Sequence, residues 1–374
     1  MGQQIFRGGT LTLWSGRIFC VLLSLVLVSC VADPEVPAGG LVGDAASGIV
    51  IVNEGLWRQD NATLTLYDAR NDAAVTDWFV RQNPGLHLGD MGNDVAVLNG
   101  RAYVLLSGSA TIEILDLPSG TSAGRIRFPE GTFPTYLILL NDSTGWVSTL
   151  EDDSVIEFNP LAMEVGRRVQ VGPAPEGLAY AAGRLFVANS GLGALRNQEP
   201  GAGTMSVVDP VSGEEREQIE IGGNLRDLHY MPVTGMLYAF TGAALPDTAG
   251  SGLAEIDPVT LKVQRRWQIS GAWEAGFDDA AGQVYIIAQG GIFRLDVALD
   301  NALPVPFLGV PLNTLDEEVP HSLAISPYSG EVLVGVVRGY YSAPGRVDRY
   351  DRSGRLLGSF ETGLSPTAFG FFVQ

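Results

Sequence analysis

From about residue 93 onward the sequence repeats a pattern about every 40–50 residues, which is the period of propeller blades. Each unit has a short apolar stretch, a turn with Gly, a second apolar stretch, a variable loop, a third stretch, an Asp-type turn and a fourth stretch. The clearest unit starts at Asn93-Asp94-Val95 and turns at Asn99-Gly100. It then runs through Ala102 to Leu106 and Thr111 to Leu115, turns again at Asp116 to Gly120, and closes with Gly124 to Phe128. Apolar and polar residues alternate as in strands with one buried face. The same grammar restarts at Pro134, Pro175, Arg226, Trp273 and Pro320. Turns such as Asp209-Pro210-Val211-Ser212-Gly213 and Asp257-Pro258-Val259-Thr260 are structural: Pro presets φ, Asp bonds back to its own backbone, and Gly takes a positive φ.

Six units are complete and a seventh is split. Gly48–Asn53, Thr63–Tyr67 and Val75–Val80 read as three strands at the start, and Thr367–Val373 reads as a first strand at the very end. Pairing them closes the ring and removes the exposed edges. The fold class is therefore all-β, a seven-bladed β-propeller over residues 48–374. The 47 Gly and the charged fraction of only 17% fit many short strands and tight turns.

The N-terminus reads as a leader. Arg7 and Arg17 form a basic region, Ile18–Val28 an apolar run too short to span a bilayer, and Leu27-Val28-Ser29-Cys30 resembles a bacterial lipoprotein signal. Residues 1–29 are the expected signal peptide, Cys30 the lipidated residue, and 30–47 a tether rich in Ala, Gly, Pro and Val. Lipid on Cys30 places the chain at the cell envelope. No Asp directly follows Cys30, and by likeness to Gram-negative lipoproteins that favours the outer membrane. Without the leader, 21 cations face 42 acids. So acidic a chain argues against nucleic acid as a partner and against electrostatic docking on anionic lipid.

Ile51-Val52-Asn53-Glu54-Gly55, Gly92-Asn93-Asp94-Val95 and the recurrent Asp-Pro-x-Ser/Thr turns resemble the YVTN-type propellers, specifically the lipoprotein branch of Gram-negative bacteria. The resemblance covers 48–374 and specifies the fold better than the function. It implies that some members capture cobalamin at the surface and hand it to a TonB-dependent transporter; others have no assigned role.

In a four-stranded blade, the loop leading into the first strand and the loop between strands two and three share a face. Aligned across units, the lead-in positions are Asp94, Thr135, Glu176, Asp227, Glu274, His321 and Thr367, with Arg226 and Trp273 beside two of them. Four acids converging on a channel raise one another's pKa unless a cation, a polar ligand or solvent compensates. Long second-to-third loops are expected at Glu54–Asn61, Ser190–Gly203, Gly242–Gly252 and Arg338–Gly345. They carry Trp57, Arg58, Arg196, Tyr340 and Tyr341, groups suited to gripping a large polar ligand by stacking and hydrogen bonding.

The three histidines, His87, His229 and His321, form no metal-spaced pair, and there is neither an HExxH nor a nucleophile-elbow motif. Three functions remain open. The first is a binding lipoprotein for a small molecule, a corrinoid or another polar cargo, passing it to an outer-membrane transporter. The second is a protein-interaction scaffold. The third is a metal-assisted lyase or lactonase using His321 and Glu274 around a divalent cation.

Overall fold

The computed structural model describes residues 47–244, 250–309 and 317–373. The leader, Cys30 and the tether up to residue 46 lie outside the described residues, and Ser47 already belongs to a strand. Seven four-stranded antiparallel sheets form the blades. Blade one is assembled from both ends of the chain. Pro366–Val373 is its innermost strand, followed outward by Ser47–Asn53, Thr63–Asp68 and Ala73–Val75. Ile51 stands opposite Phe369 and Val52 opposite Ala368. Blades two to seven run in chain order, with innermost strands Gly92–Leu98, Pro134–Asn141, Pro175–Ala181, Leu225–Met231, Glu274–Asp278 and Glu318–Ile325.

The core lies between neighbouring blades. Second strands such as Arg101–Leu106, Arg184–Asn189 and Gln283–Ala288 are buried at every residue after the first. They are covered on both faces, which is why they read as continuous apolar runs. The outermost strand Glu214–Glu220 is instead mostly exposed, with only Glu215 and Ile219 half-buried.

Two expectations are corrected. Val75–Val80 is not a strand: the outermost strand ends at Val75, and Trp78–Gln82 forms a short helix. Asp77, with φ 53°, breaks the strand direction. Trp78 and Phe79 then enter the core shared by blades one and two. Trp78 lies against Gly120, where φ is +73° and a side chain would collide with the indole. Asn83 pins the helix by donating to the Gly120 carbonyl at 2.9 Å and accepting from the Ser122 amide at 2.8 Å. The expected long loop Arg338–Gly345 shrinks to residues 339–342, because the flanking strands reach Arg338 and begin at Ala343.

Arginine forks tie blades together. Arg167 donates to the Val211 and Pro210 carbonyls at 2.9 and 2.6 Å, in the Asp-Pro turn of the next blade. Arg184 reaches the equivalent Pro258 and Val259 carbonyls, and Arg294 the Arg352 carbonyl. A planar fork can serve two carbonyls at once where an ammonium serves as a point charge. This suits a chain whose cations include one Lys, Lys262.

Candidate functional site

At the head of the innermost strand the register slips in six of the seven blades. The slip leaves Asn93, Thr135, Arg226, His321 and Thr367 unpaired, and in blade four it spans Glu176 and Gly177. Blade six has no slip there, and Glu274 pairs with Ile287. Such bulges re-aim side chains. They also correct the alignment of lead-in positions, which fall into two tiers. The deeper tier holds Asp94, Tyr136, Asp227 and Glu274, opposite Leu105, Ser148, Phe240 and Ile287. One residue nearer the mouth are Asn93, Thr135, Glu176, Arg226, His321 and Thr367. An extra unpaired residue leaves no mark in the apolar pattern, so a sequence alignment mixes the tiers.

Arg226 supplies the compensating charge among the acids. Its Nε is 3.4 Å from Glu176 Oε2, and an Nη1–H donates to the Trp273 carbonyl at 3.2 Å. Burial works against its charge, but Glu176, Tyr136 and Glu274 hold the guanidinium above its ordinary value. The deeper acids are shifted the other way. Asp94 accepts from the Val95 and Leu137 amides at 2.8 and 2.9 Å, yet burial pushes its carboxyl up to about 6. Burial foremost, and then the charge of Asp94, pushes Asp227 up to about 6 against the pull of His229 and Arg226. Burial pushes Glu274 up to about 8, with Asp227 and Glu176 adding to the shift. Glu274 is thus mostly protonated at neutral pH. Burial also pushes the Tyr136 phenol well up.

A cavity of about 530 Å³ opens at this mouth. The lead-in residues Asn93, Glu176 and Arg226, the deeper Tyr136, Phe133 and the 192–194 segment all line it. Lead-in residues and second-to-third loops therefore share a face. The buried Oδ1 of Asn93 has no hydrogen-bond partner.

The remaining candidates divide. Trp57 and Arg58 line a different cavity over blade two. The Trp273 ring packs against the core of blades six and seven. Arg196 lines neither cavity: it grips both oxygens of Asp153 at 2.8 and 2.7 Å and also bonds Glu199, fastening its loop to blade three. Tyr340 and Tyr341 sit on a turn in which Gly339, Tyr340 and Tyr341 all have positive φ, a costly conformation for the two tyrosines. Tyr341 meets the His321 ring edge-on at 5.6 Å.

No hydrogen bond joins His321 to Glu274 among the described residues. Burial, then the charge of Arg226, pushes His321 down to about 4, leaving it a weak base. Among the described residues no group of three or more His, Cys, Asp or Glu is placed to hold a metal ion. Phe133 and Tyr136 went unseen in the sequence. The step from Pro134 to Tyr136, parallel to that from Gly92 to Asp94, is the signal that could have found Tyr136.

Residues 47–355 match the domain of unknown function DUF5074. The chain belongs to this family. Membership in DUF5074 names no ligand. No curated protein shows significant sequence similarity to the chain. Solved structures share the fold. A quinoprotein alcohol dehydrogenase-like protein from Bacteroides thetaiotaomicron is 16% identical with a TM-score of 0.64, over 87% of this chain and 78% of that one. A protein from Lactobacillus plantarum is 13% identical with a TM-score of 0.62, over 87% and 99%. A streptogramin B lyase is 9% identical with a TM-score of 0.54, over 75% and 86%. At such identities this DUF5074 chain shares their propeller, and the likeness extends no further.

Proposed function

We propose that this chain is a ligand-binding propeller, held at the cell envelope by lipid on Cys30, that captures a small polar molecule at the channel mouth and passes it to an outer-membrane transporter. The mouth cavity carries the reading. Its volume of about 530 Å³ suits a small molecule. Its wall combines an aromatic surface at Phe133 and Tyr136, the Arg226–Glu176 pair, and an Asn93 oxygen lacking a partner. A buried acceptor without a partner is costly, and a ligand N–H or O–H removes that cost. Glu274, mostly protonated at neutral pH, can donate a hydrogen bond deeper in the channel, while Arg226 offers charge. A cobalamin-like cargo is the finer version of the reading, motivated by the YVTN-type resemblance. A corrinoid would place its polar amide periphery, rather than its whole body, in a cavity of this size.

The test is equilibrium dialysis of the full chain in detergent against cyanocobalamin and a panel of polar metabolites, for wild type and Arg226→Ala. Retention of one compound by wild type and its loss in the variant supports the site. Equal retention by both, or none by either, removes the mouth as the site and favours a protein-interaction scaffold. In cells, Cys30→Ser should move the protein from the membrane to the soluble fraction; an unchanged membrane fraction contradicts the anchor.

A further inference from the structure

We propose that the depression over blade two is a second binding site, for a small zwitterion carrying an aromatic ring, of the aromatic amino-acid class. The cavity holds about 550 Å³ and meets the mouth cavity only at the shared wall residue Phe133. It is a built feature. The loop after Asn53 folds over it, held by the Arg58 amide donating to Asp90 Oδ2 at 2.9 Å and the Leu56 amide donating to Asn61 Oδ1 at 2.8 Å. The Asp90 amide in turn donates to Ser109 Oγ at 2.8 Å.

Two polar atoms at this cavity are buried without a partner. Thr111, 2% exposed, has no bond to Oγ1, and Asp90 has none to Oδ1. The carboxylate oxygen can only accept, so it calls for a donor such as an ammonium. Two guanidiniums line the same cavity. Arg127 pairs directly across from Thr111, and Arg58 stacks 5.4 Å over the Trp57 ring. No side-chain hydrogen bond or ion pair engages either one among the described residues. Most other arginines here are spent on carboxylates or carbonyls. Unspent guanidiniums match a planar carboxylate. Trp57, 49% exposed and edge-on to Phe133 at 5.3 Å, offers a shelf for a flat ring. Exposed Glu130 and Glu151 on the rim oppose a simple anion and favour a ligand bearing both charges.

The test is isothermal titration calorimetry of the full chain with L-tryptophan, tryptamine and indole-3-propionate. L-tryptophan should bind, and each analogue lacking one charge should bind about tenfold or more weaker: indole-3-propionate leaves the buried Asp90 Oδ1 unpaired, and tryptamine gives up the charge-assisted bonds to Arg127. Arg127→Gln, at an exposed side chain, should weaken L-tryptophan at least about tenfold and leave tryptamine unchanged, while Arg226→Ala should leave L-tryptophan unchanged. No heat with L-tryptophan, equal binding of all three compounds, or indifference to Arg127→Gln overturns the site. Loss through Arg226→Ala alone assigns the ligand to the mouth cavity and also overturns it. The mouth reading survives each of these results, since its own test uses other compounds and Arg226.

Discussion

Arg226 faces a channel in which Asp94, Asp227 and Glu274 are all held above the ordinary carboxylate range. A carboxyl raised from 4.5 to about 8, as at Glu274, contributes its full stability below the unfolded value and loses it as pH climbs through 8. Glu274→Gln removes that loss. Its stability relative to wild type should therefore rise between pH 5 and pH 9, on the order of 1–2 kcal/mol after screening in the half-open channel, read as a rise in relative melting temperature. Arg226→Ala should show the opposite slope, costing about 1–3 kcal/mol more at pH 9, where the acids are charged and unopposed. Calorimetry at pH 5, 7 and 9 checks both, and differences independent of pH would contradict the coupling. The acids were legible because carboxylates at strand heads stand out in the repeat. Arg226 was visible only as a neighbour, because the bulge that turns it into the channel is a backbone event with no residue signature.

At the scale of elements, the second strands were the easiest to read. Burial on both faces writes itself as unbroken runs such as Ala102 to Leu106. The outer edge of blade one was misread for the opposite reason. Val75 to Val80 is apolar enough for a strand, but a left-handed Asp77 redirects the chain so that Trp78 and Phe79 both fill the space beside blade two. Trp78→Ala should cost about 3–5 kcal/mol, as expected for a fully buried indole, read as a lowered denaturation midpoint in urea. A cost below about 1 kcal/mol would mean that the helix is not part of the core. The loops show the limit of length as a guide. Residues 190–203 are long as expected, yet Arg196 serves Asp153 and Glu199 rather than a cavity. Runs of three positive-φ residues occur in both the long loop, at Gly191 to Gly193, and the short turn, at Gly339 to Tyr341, so backbone strain does not follow loop length.

For the whole molecule, ring closure rests on Pro366–Val373 lying inside blade one against Ser47–Asn53. Removing residues 366–374 should bare the inner edge of Ser47–Asn53, leave the innermost strands of the neighbouring blades without their packing partner, and abolish cooperative unfolding rather than merely lower its midpoint. A truncated chain that still melts in one sharp transition would show the closure to be dispensable. The blade count was legible because the period and the orphan C-terminal strand both require it. The ligand was not, because its cavities draw on residues from several blades and on register slips. The central claim, capture at the mouth, is tested most directly by native mass spectrometry of the full chain purified from cells that express it, wild type beside Arg226→Ala. A small-molecule adduct on wild type that the variant lacks is the expected result. Identical ligand-free masses for both, unchanged when polar metabolites and cobalamins are added, would contradict the account.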